Sequence, residues 1–259
     1  MLGAVKGSGE WLWAAVGKHP VARDYIRLGR SSPMMDGFSA WVDGGYRDLH
    51  SREPKGNPAL RSFRFWALGA GPGLLACGVV RDSHDAVGRP FPLLIMGSGS
   101  LRDWEERWDL LPLACEGAWE QIESLAGRRF AELRPLEEAV GRIRPPQPLW
   151  NGYAETGSAL REGRSGTGDE AAGRFRGIER KAEAAAREAA GIVSLDEPPG
   201  TDVFLAIQAW HAGLKRGAKE PPKALFMGGN AERACLAFFR RPLSAGDFPR
   251  IWGHAVEAA

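Results

Sequence analysis

The chain has 259 residues, of which 44% are hydrophobic and 25% are charged, and its formal net charge is +2. These values are typical of a globular protein with a substantial core, and the balanced charge does not indicate nucleic acid or an anionic membrane as a partner. Since no apolar stretch approaches 18 residues and no signal-peptide pattern begins the chain, we expect no membrane insertion.

The first 50 residues predict two short extended segments and a helix. Residues 11–17 form an apolar run that ends in glycine, which favours a strand, and residues 24–28 favour an extended or short helical segment. Ser32 and Pro33 are typical of a helix N-cap and its first residue. Apolar residues then recur at helical spacing, so residues 33–50 are predicted to form an amphipathic helix.

The middle of the chain predicts a β region followed by helices. Apolar and polar residues alternate over 63–67, and apolar runs at 74–80 and 91–96 are separated from it by glycine-rich turns, which favours a three-stranded meander. An apolar stripe predicts a helix over 101–127, with Pro112 breaking or kinking it. A second helix is predicted over 129–143.

Residues 154–192 differ in composition from the segments on either side. Glycine, arginine, glutamate and serine dominate 154–177, which is typical of a flexible connector, and the alanine-rich stretch 178–190 favours a surface helix. Because this segment has few large apolar residues, we predict a flexible or helical insertion rather than a separate domain.

The last 60 residues predict ordered structure again. A helix capped by Thr201 or Asp202 precedes a hairpin of 224–227 and 234–239, and a final helix contains Phe248, Ile251 and Trp252. Together, the elements predict an α/β fold: a single three-layer αβα sandwich-like domain over residues 10–255, with a mixed, largely antiparallel sheet and a flexible insertion.

Cysteine, histidine and tryptophan usage narrows the kinds of site that are possible. The three cysteines are far apart and the five histidines lack metal-ligand spacing, so we expect no disulfide framework, no metal and a reducing, cytoplasmic compartment. His211, next to Trp210 in the predicted C-terminal helix, is expected at the edge of the core. Most of the ten tryptophans are expected to be buried, with one or two available to anchor a partner.

Two turns with fixed charges are the best candidates for function. The candidate residues are Lys18, Asp24 and Arg27 in the first turn, and Asp85, Arg89 and Phe91 in the second. These charges can bind a partner, or an Asp–Arg pair can hold the two loops together, and the residue pattern leaves both alternatives open.

Residues 82–85 also contain the residue types of a catalytic triad, Asp-Ser-His-Asp. Catalytic triads are assembled from separate elements, which sequence neighbours on one turn rarely achieve, so a polar loop is the favoured interpretation. A hydrolase that uses Asp82, His84 or Asp85 stays open as an alternative.

Three segments resemble one protein family. Gly17-Lys-His-Pro20, followed by Arg23-Asp-Tyr25 and Trp41-Val-Asp43, is similar to the Gly-Lys-x-Pro-x-x-Gly-Asp-Phe region of the TagF (ImpM) family. Residues 82–94 resemble the segment Pro-Ser-x-Asp-x-x-Gly-Arg-x-Phe-Pro-Leu of that family, and residues 224–252 resemble its final strand pair and helix.

The resemblance implies a non-catalytic, cytoplasmic accessory protein that regulates type VI secretion by binding a protein of the machinery. In this family the expected effect is repression after translation, and a forkhead-associated scaffold is the expected partner. An α/β sandwich without catalytic residues or cofactor is also implied. A structural subunit of the apparatus stays open as a further alternative to the hydrolase.

Overall fold

The computed structural model describes residues 10–52, 60–162, 168–196 and 200–254. Within them, eight strands form one open sheet; they are β1 (Leu12–Gly17), β2 (Ile26–Gly29), β3 (Ser62–Leu68), β4 (Leu74–Arg81), β5 (Leu93–Ser100), β6 (Ala190–Ser194), β7 (Ala224–Gly229) and β8 (Ala234–Phe239). Their order is β2-β1-β5-β4-β3-β7-β8-β6, and every pair is antiparallel. The predicted mixed sheet is therefore antiparallel throughout the described strands.

Helices cover both faces of the sheet. The described residues form seven; they are α1 (Pro33–Arg52), α2 (Leu111–Gly127), α3 (Leu133–Gly141), α4 (Trp150–Arg161), α5 (Gly168–Ala185), α6 (Val203–Gly217) and α7 (Asp247–His254). One apolar core lies between α1, α7 and one face of the sheet. A larger core lies between the other face and the five helices α2, α3, α4, α5 and α6. These three layers confirm the predicted α/β sandwich. None of the described helices has the length and apolar character needed to cross a membrane.

The predicted N-terminal elements are confirmed. Ser32 accepts a hydrogen bond from the Met35 amide at 3.2 Å, and Pro33 is the first residue of α1, so the start of the helix is fixed as its sequence predicts. The segment 24–28 is extended and forms β2 against β1. Strands β3, β4 and β5 are sequential neighbours in the sheet, which is the predicted meander.

The helix predicted over 101–127 begins ten residues later than its apolar stripe. Two short 3₁₀ turns, Trp104–Glu106 and Trp108–Leu110, precede α2, and Pro112 lies in the first turn of that helix. A proline removes no helical hydrogen bond at that position, so it marks a start rather than a kink. Trp104 and Trp108 are fully buried, which explains why the stripe looks continuous in the sequence.

Most described residues of the segment 154–192, for which the sequence predicts a flexible or helical insertion, are helical. They lie in α4 and α5, a short turn follows α5, and the segment ends within β6; residues 163–167 lie outside the described part of the chain. Phe175, Ile178 and Ala182 are buried in the larger core. The boundaries 10–255 and the assignment of 154–192 as an insertion stay predictions.

Small residues explain how α5 packs without many large apolar side chains. α5 lies along α6, where a Cβ built on Gly213 would stand 2.2 Å from the Glu179 carbonyl oxygen and 2.6 Å from the Ala182 Cβ. The backbones therefore approach each other closely. The buried Glu179 carboxylate pairs with Arg216 of α6 at 2.6 Å, so the contact is ionic as well as close.

Buried aromatic and polar groups fill the sheet faces. Eight of the ten tryptophans are buried, and Trp11 and Trp41 are partly exposed. His211 is fully buried, not at the edge of the core as predicted, because its Nε2 accepts a hydrogen bond from the Trp66 indole at 3.1 Å and its Nδ1 bonds the Ile207 carbonyl at 2.8 Å. Burial lowers the pKa of this imidazole to about 4.

Candidate functional site

The loop between β4 and β5 closes on itself around Asp85. Its Oδ1 accepts hydrogen bonds from the amides of Val87 at 3.1 Å and Arg89 at 2.9 Å, and its carbonyl accepts from the Gly88 amide at 2.9 Å. Gly88 has φ +83°, a conformation that glycine adopts without steric cost. The sequence Asp-x-x-Gly-Arg thus encodes a closed turn with an aspartate at its centre.

The carboxylate of Asp85 is completely buried and bound to two cations. Its Oδ2 lies 3.1 Å from Lys18 Nζ and 2.6 Å from Arg89 Nε. Burial by itself would raise the pKa of this carboxyl. The hydrogen bonds from the Arg89 amide, Lys18, the Arg89 guanidinium and the Val87 amide outweigh it and hold the pKa well below its ordinary value. Asp85 is therefore a buried anion whose charge is balanced by Lys18 and Arg89.

Arg89 ties this loop to the segment that follows β1. Its guanidinium donates to the Arg23 carbonyl and lies 3.8 Å from the Asp24 carboxylate, and the Ala86 amide donates to the Ala22 carbonyl at 2.7 Å. Four of the predicted site residues are thus brought together, although Lys18 and Asp24 lie more than 60 positions from Asp85 and Arg89 in the chain.

The other two predicted residues have different positions. Arg27, on β2, pairs with Asp36 of α1 at 2.8 Å and does not join the group around Asp85. Phe91 is partly buried and packs edge-on against Tyr25 and Tyr46, with ring centroids 5.5 Å and 5.0 Å away. Phe91 therefore supports the loops through aromatic packing against Tyr25 and Tyr46.

Four side chains of these loops face solvent and form what we name the loop surface: Asp24, Tyr25, Val87 and Arg89. The Asp24 and Arg89 side chains are 83% and 55% exposed, and Val87 is 63% exposed at the tip of the turn. The sequence interpretation missed Val87 because it concentrated on charged residues. The available signal was an apolar residue next to the glycine of a tight turn, where no core can cover it.

The triad residue types do not converge. Asp82 accepts hydrogen bonds from the Arg61 amide at 3.0 Å and the Trp252 indole at 3.2 Å, and burial raises the pKa of its carboxyl against these contacts. His84 is exposed, and its Nδ1 lies 2.9 Å from the Asp85 carbonyl oxygen. Asp82 and His84 therefore bond different groups, and His84 meets the backbone carbonyl of Asp85 rather than a carboxylate.

His19 lies beneath the same loops. It is buried, its Nδ1 accepts from the Val21 amide at 3.1 Å, and its ring meets Phe130 edge-on. Burial lowers the pKa of its imidazole, and repulsion from His84 and Arg81 lowers it further. His19 is therefore a neutral support of the turn. In the described part of the chain, no three His, Cys, Asp or Glu side chains are grouped as metal ligands.

Comparisons with known proteins match this geometry to a family. The model of the TagF N-terminal domain, described as type VI secretion system-associated, matches residues 14–144, which include both turns and the loop surface. The crystal structure of PA0076 from Pseudomonas aeruginosa PAO1 is similar with a TM-score of 0.52, covers 92% of each chain and is 20% identical in sequence. At that identity the likeness shows the fold alone. No curated protein matches the chain significantly.

Proposed function

The chain belongs to the TagF family of type VI secretion system-associated proteins, and on that premise we propose that it is an accessory protein that regulates secretion by binding a protein of the apparatus. Repression after translation, in the cytoplasm, is the mode of action that the family resemblance favours. A forkhead-associated scaffold is the partner it favours.

The loop surface is the observation that carries this proposal. Val87 is an exposed apolar side chain on a turn that is held in place by six hydrogen bonds and ion pairs of the Asp85 and Arg89 side chains. A rigid apolar tip flanked by Asp24 and Arg89 needs little ordering when it docks, which favours binding. The charges beside it set orientation and specificity.

A non-catalytic role is favoured by the way the polar residues of this region are used. Both oxygens of Asp85 and both oxygens of Asp82 are engaged by groups of the protein itself. A nucleophile and its base need to lie within hydrogen-bonding distance of each other and of a substrate. The hydrolase alternative would require these contacts to be released first.

The proposal is tested by complementing a deletion strain with matched variants. Val87→Asp places a charge at the tip of the turn, and Leu149→Asp is the control, because Leu149 is 62% exposed at the start of α4, away from the loops. We expect secretion to rise in the deletion strain. The wild-type chain and Leu149→Asp should return secretion to its original lower level, whereas Val87→Asp should not.

Binding to the purified forkhead-associated scaffold is measured with the same chains. We expect Val87→Asp to weaken it by about tenfold or more, which is about 1.4 kcal/mol, with unchanged melting temperature. Unchanged secretion in the deletion strain and no recovered component of the apparatus would exclude the regulatory role. Loss of secretion on deletion, with stoichiometric copurification, would instead indicate a structural subunit.

A further inference from the structure

The sheet has two edge strands among the described residues, and they differ in how their free backbone groups are used. At one edge, the Arg30 amide donates to the Trp13 carbonyl, so in β2 the groups of Arg27 and Gly29 point away from β1. The Gly29 amide is bound by the Glu137 carboxylate of α3 at 3.4 Å. A charged residue and a covering helix are common protections of a sheet edge.

The other edge, β6, has neither device within the part of the chain that the structure describes. The Leu195 amide donates to the Ala234 carbonyl at 2.8 Å and the Arg240 amide to the Ala189 carbonyl at 2.9 Å. Because bonded pairs alternate in an antiparallel ladder, the N–H and C=O groups of the even-numbered residues, Ala190, Ile192 and Ser194, point away from β8. The strand Ala-Gly-Ile-Val-Ser has no charge and no proline, and it ends the sheet order in the described part of the chain.

A groove of about 460 Å³ lies beside this edge. Its lining includes Ile192, Cys235 and His254, and it also carries two carboxylates, Asp196 and Glu232, against one guanidinium, Arg233. A strand added to β6 would direct alternate side chains into this space. The lining combines apolar surface from Ile192 and Ala234 with one more carboxylate than guanidinium, which suits an apolar side chain followed by a lysine or arginine.

A second copy of the chain fits this edge poorly. Antiparallel pairing of two β6 strands about Ile192 would place Glu188 of one copy opposite Asp196 of the other, and like charges directly opposite destabilise a strand pair. In this register, the repulsion between the two carboxylates therefore disfavours self-association.

We propose that β6 is a docking edge, where an extended segment of a partner protein, apolar at alternate positions and carrying a lysine or arginine for the groove, is added as a further strand. This surface lies at the opposite edge of the sheet from β2 and outside residues 14–144, so it is separate from the loop surface. Backbone hydrogen bonds would supply affinity, and the groove would supply specificity.

A library of displayed heptapeptides, selected on the purified full chain, tests the proposal without a secretion system. The two diagnostic variants are Ile192→Pro and Ile192→Ala: both remove the branched isoleucine side chain, but only proline also removes the outward N–H. We expect selected peptides to be basic with alternating apolar residues. Their binding should fall about tenfold or more with Ile192→Pro and stay within about threefold with Ile192→Ala, since a tenfold loss corresponds to the backbone bond and its ordering.

A second measurement keeps the test decisive if Ile192→Pro does not fold. N-methylation of a selected peptide should abolish binding at residues of one parity and be tolerated at the other, because only alternate amides of an added strand face β6. Basic peptides should also bind more weakly to Glu232→Gln. A library without binders, equal effects at both parities, or a dimer in sedimentation that Ile192→Pro dissociates would each overturn the proposal.

Discussion

Replacing Gly213 with alanine tests whether α5 is an integral layer of the fold. α6 presents Gly213 to α5, where an added Cβ would lie 2.2 Å from the Glu179 carbonyl oxygen and 2.6 Å from the Ala182 Cβ. Ordinary contacts begin at about 3.4 Å, so the two helices have to separate by about 1 Å. The obstacle is backbone, which no rotamer change can move aside.

The expected net effect follows from two opposing contributions to the free energy of unfolding. Overpacking a well-filled site costs about 1–3 kcal/mol, and a clash with a backbone carbonyl belongs near the upper end. Alanine gains about 1 kcal/mol over glycine in a helix. We therefore expect Gly213→Ala to lose about 2 kcal/mol, which lowers the melting temperature by about 4–8 °C in a chain of this size.

Gly117→Ala is the matched control, because Gly117 lies in α2 with nothing within 4 Å of an added Cβ. Only the helix-propensity gain remains there, so we expect about 1 kcal/mol of stabilisation. Thermal melts and urea titrations of both variants measure the difference. If Gly213→Ala is as stable as Gly117→Ala, α5 does not pack closely on α6, and the segment is a peripheral connector after all.

Two further predictions concern buried ionisable groups. Since the pKa of His211 is lowered to about 4 from an ordinary value of 6.5, its contribution to stability is complete above pH 6.5 and is lost as the pH falls toward 4, by up to about 1.4 kcal/mol per pH unit. Urea titrations between pH 7.5 and 5 should show a shallower loss for His211→Gln, whose amide oxygen can still accept from Trp66. Asp85→Asn should lower the melting temperature by several degrees, whereas Asp24→Asn, at an exposed carboxylate, should change it by about 2 °C or less; equal effects would contradict a supporting role for Asp85.

Periodic segments of the sequence predict their elements well, because one apolar face has to meet one core. The helix from Pro33, the meander and the hairpin of β7 and β8 all follow from such local patterns. The same pattern misplaced the start of α2, since Trp104 and Trp108 are buried from 3₁₀ turns that happen to continue its stripe. A stripe of apolar residues predicts which side chains face the core. It does not predict whether the backbone that carries them is an α-helix or a 3₁₀ turn.

The packing of the segment 154–192 could not be predicted from its own apolar content, because that packing depends on small residues in another segment. Gly213 and Gly217 let the backbone of α5 approach α6, so alanines suffice to fill the contact. Such complementarity between distant segments has no local signature in a single sequence. His211 illustrates the same difficulty, since only the fold supplies the Trp66 indole that allows a neutral histidine to be fully buried.

Four of the charged residues in the two turns lie together, and the charges of Lys18 and Asp85 are directed inward. Lys18 and Arg89 are drawn to the buried carboxylate of Asp85, and this arrangement fixes the position of Val87. Substituting Asp85 would therefore change the shape of the loop surface together with its charge, so a loss of binding would not identify a contact. Val87 carries no internal hydrogen bond through its side chain and can be altered without that confusion. A contact map of this surface has to be built from its exposed side chains, with the buried ion pairs serving as a measure of whether the turn has kept its shape.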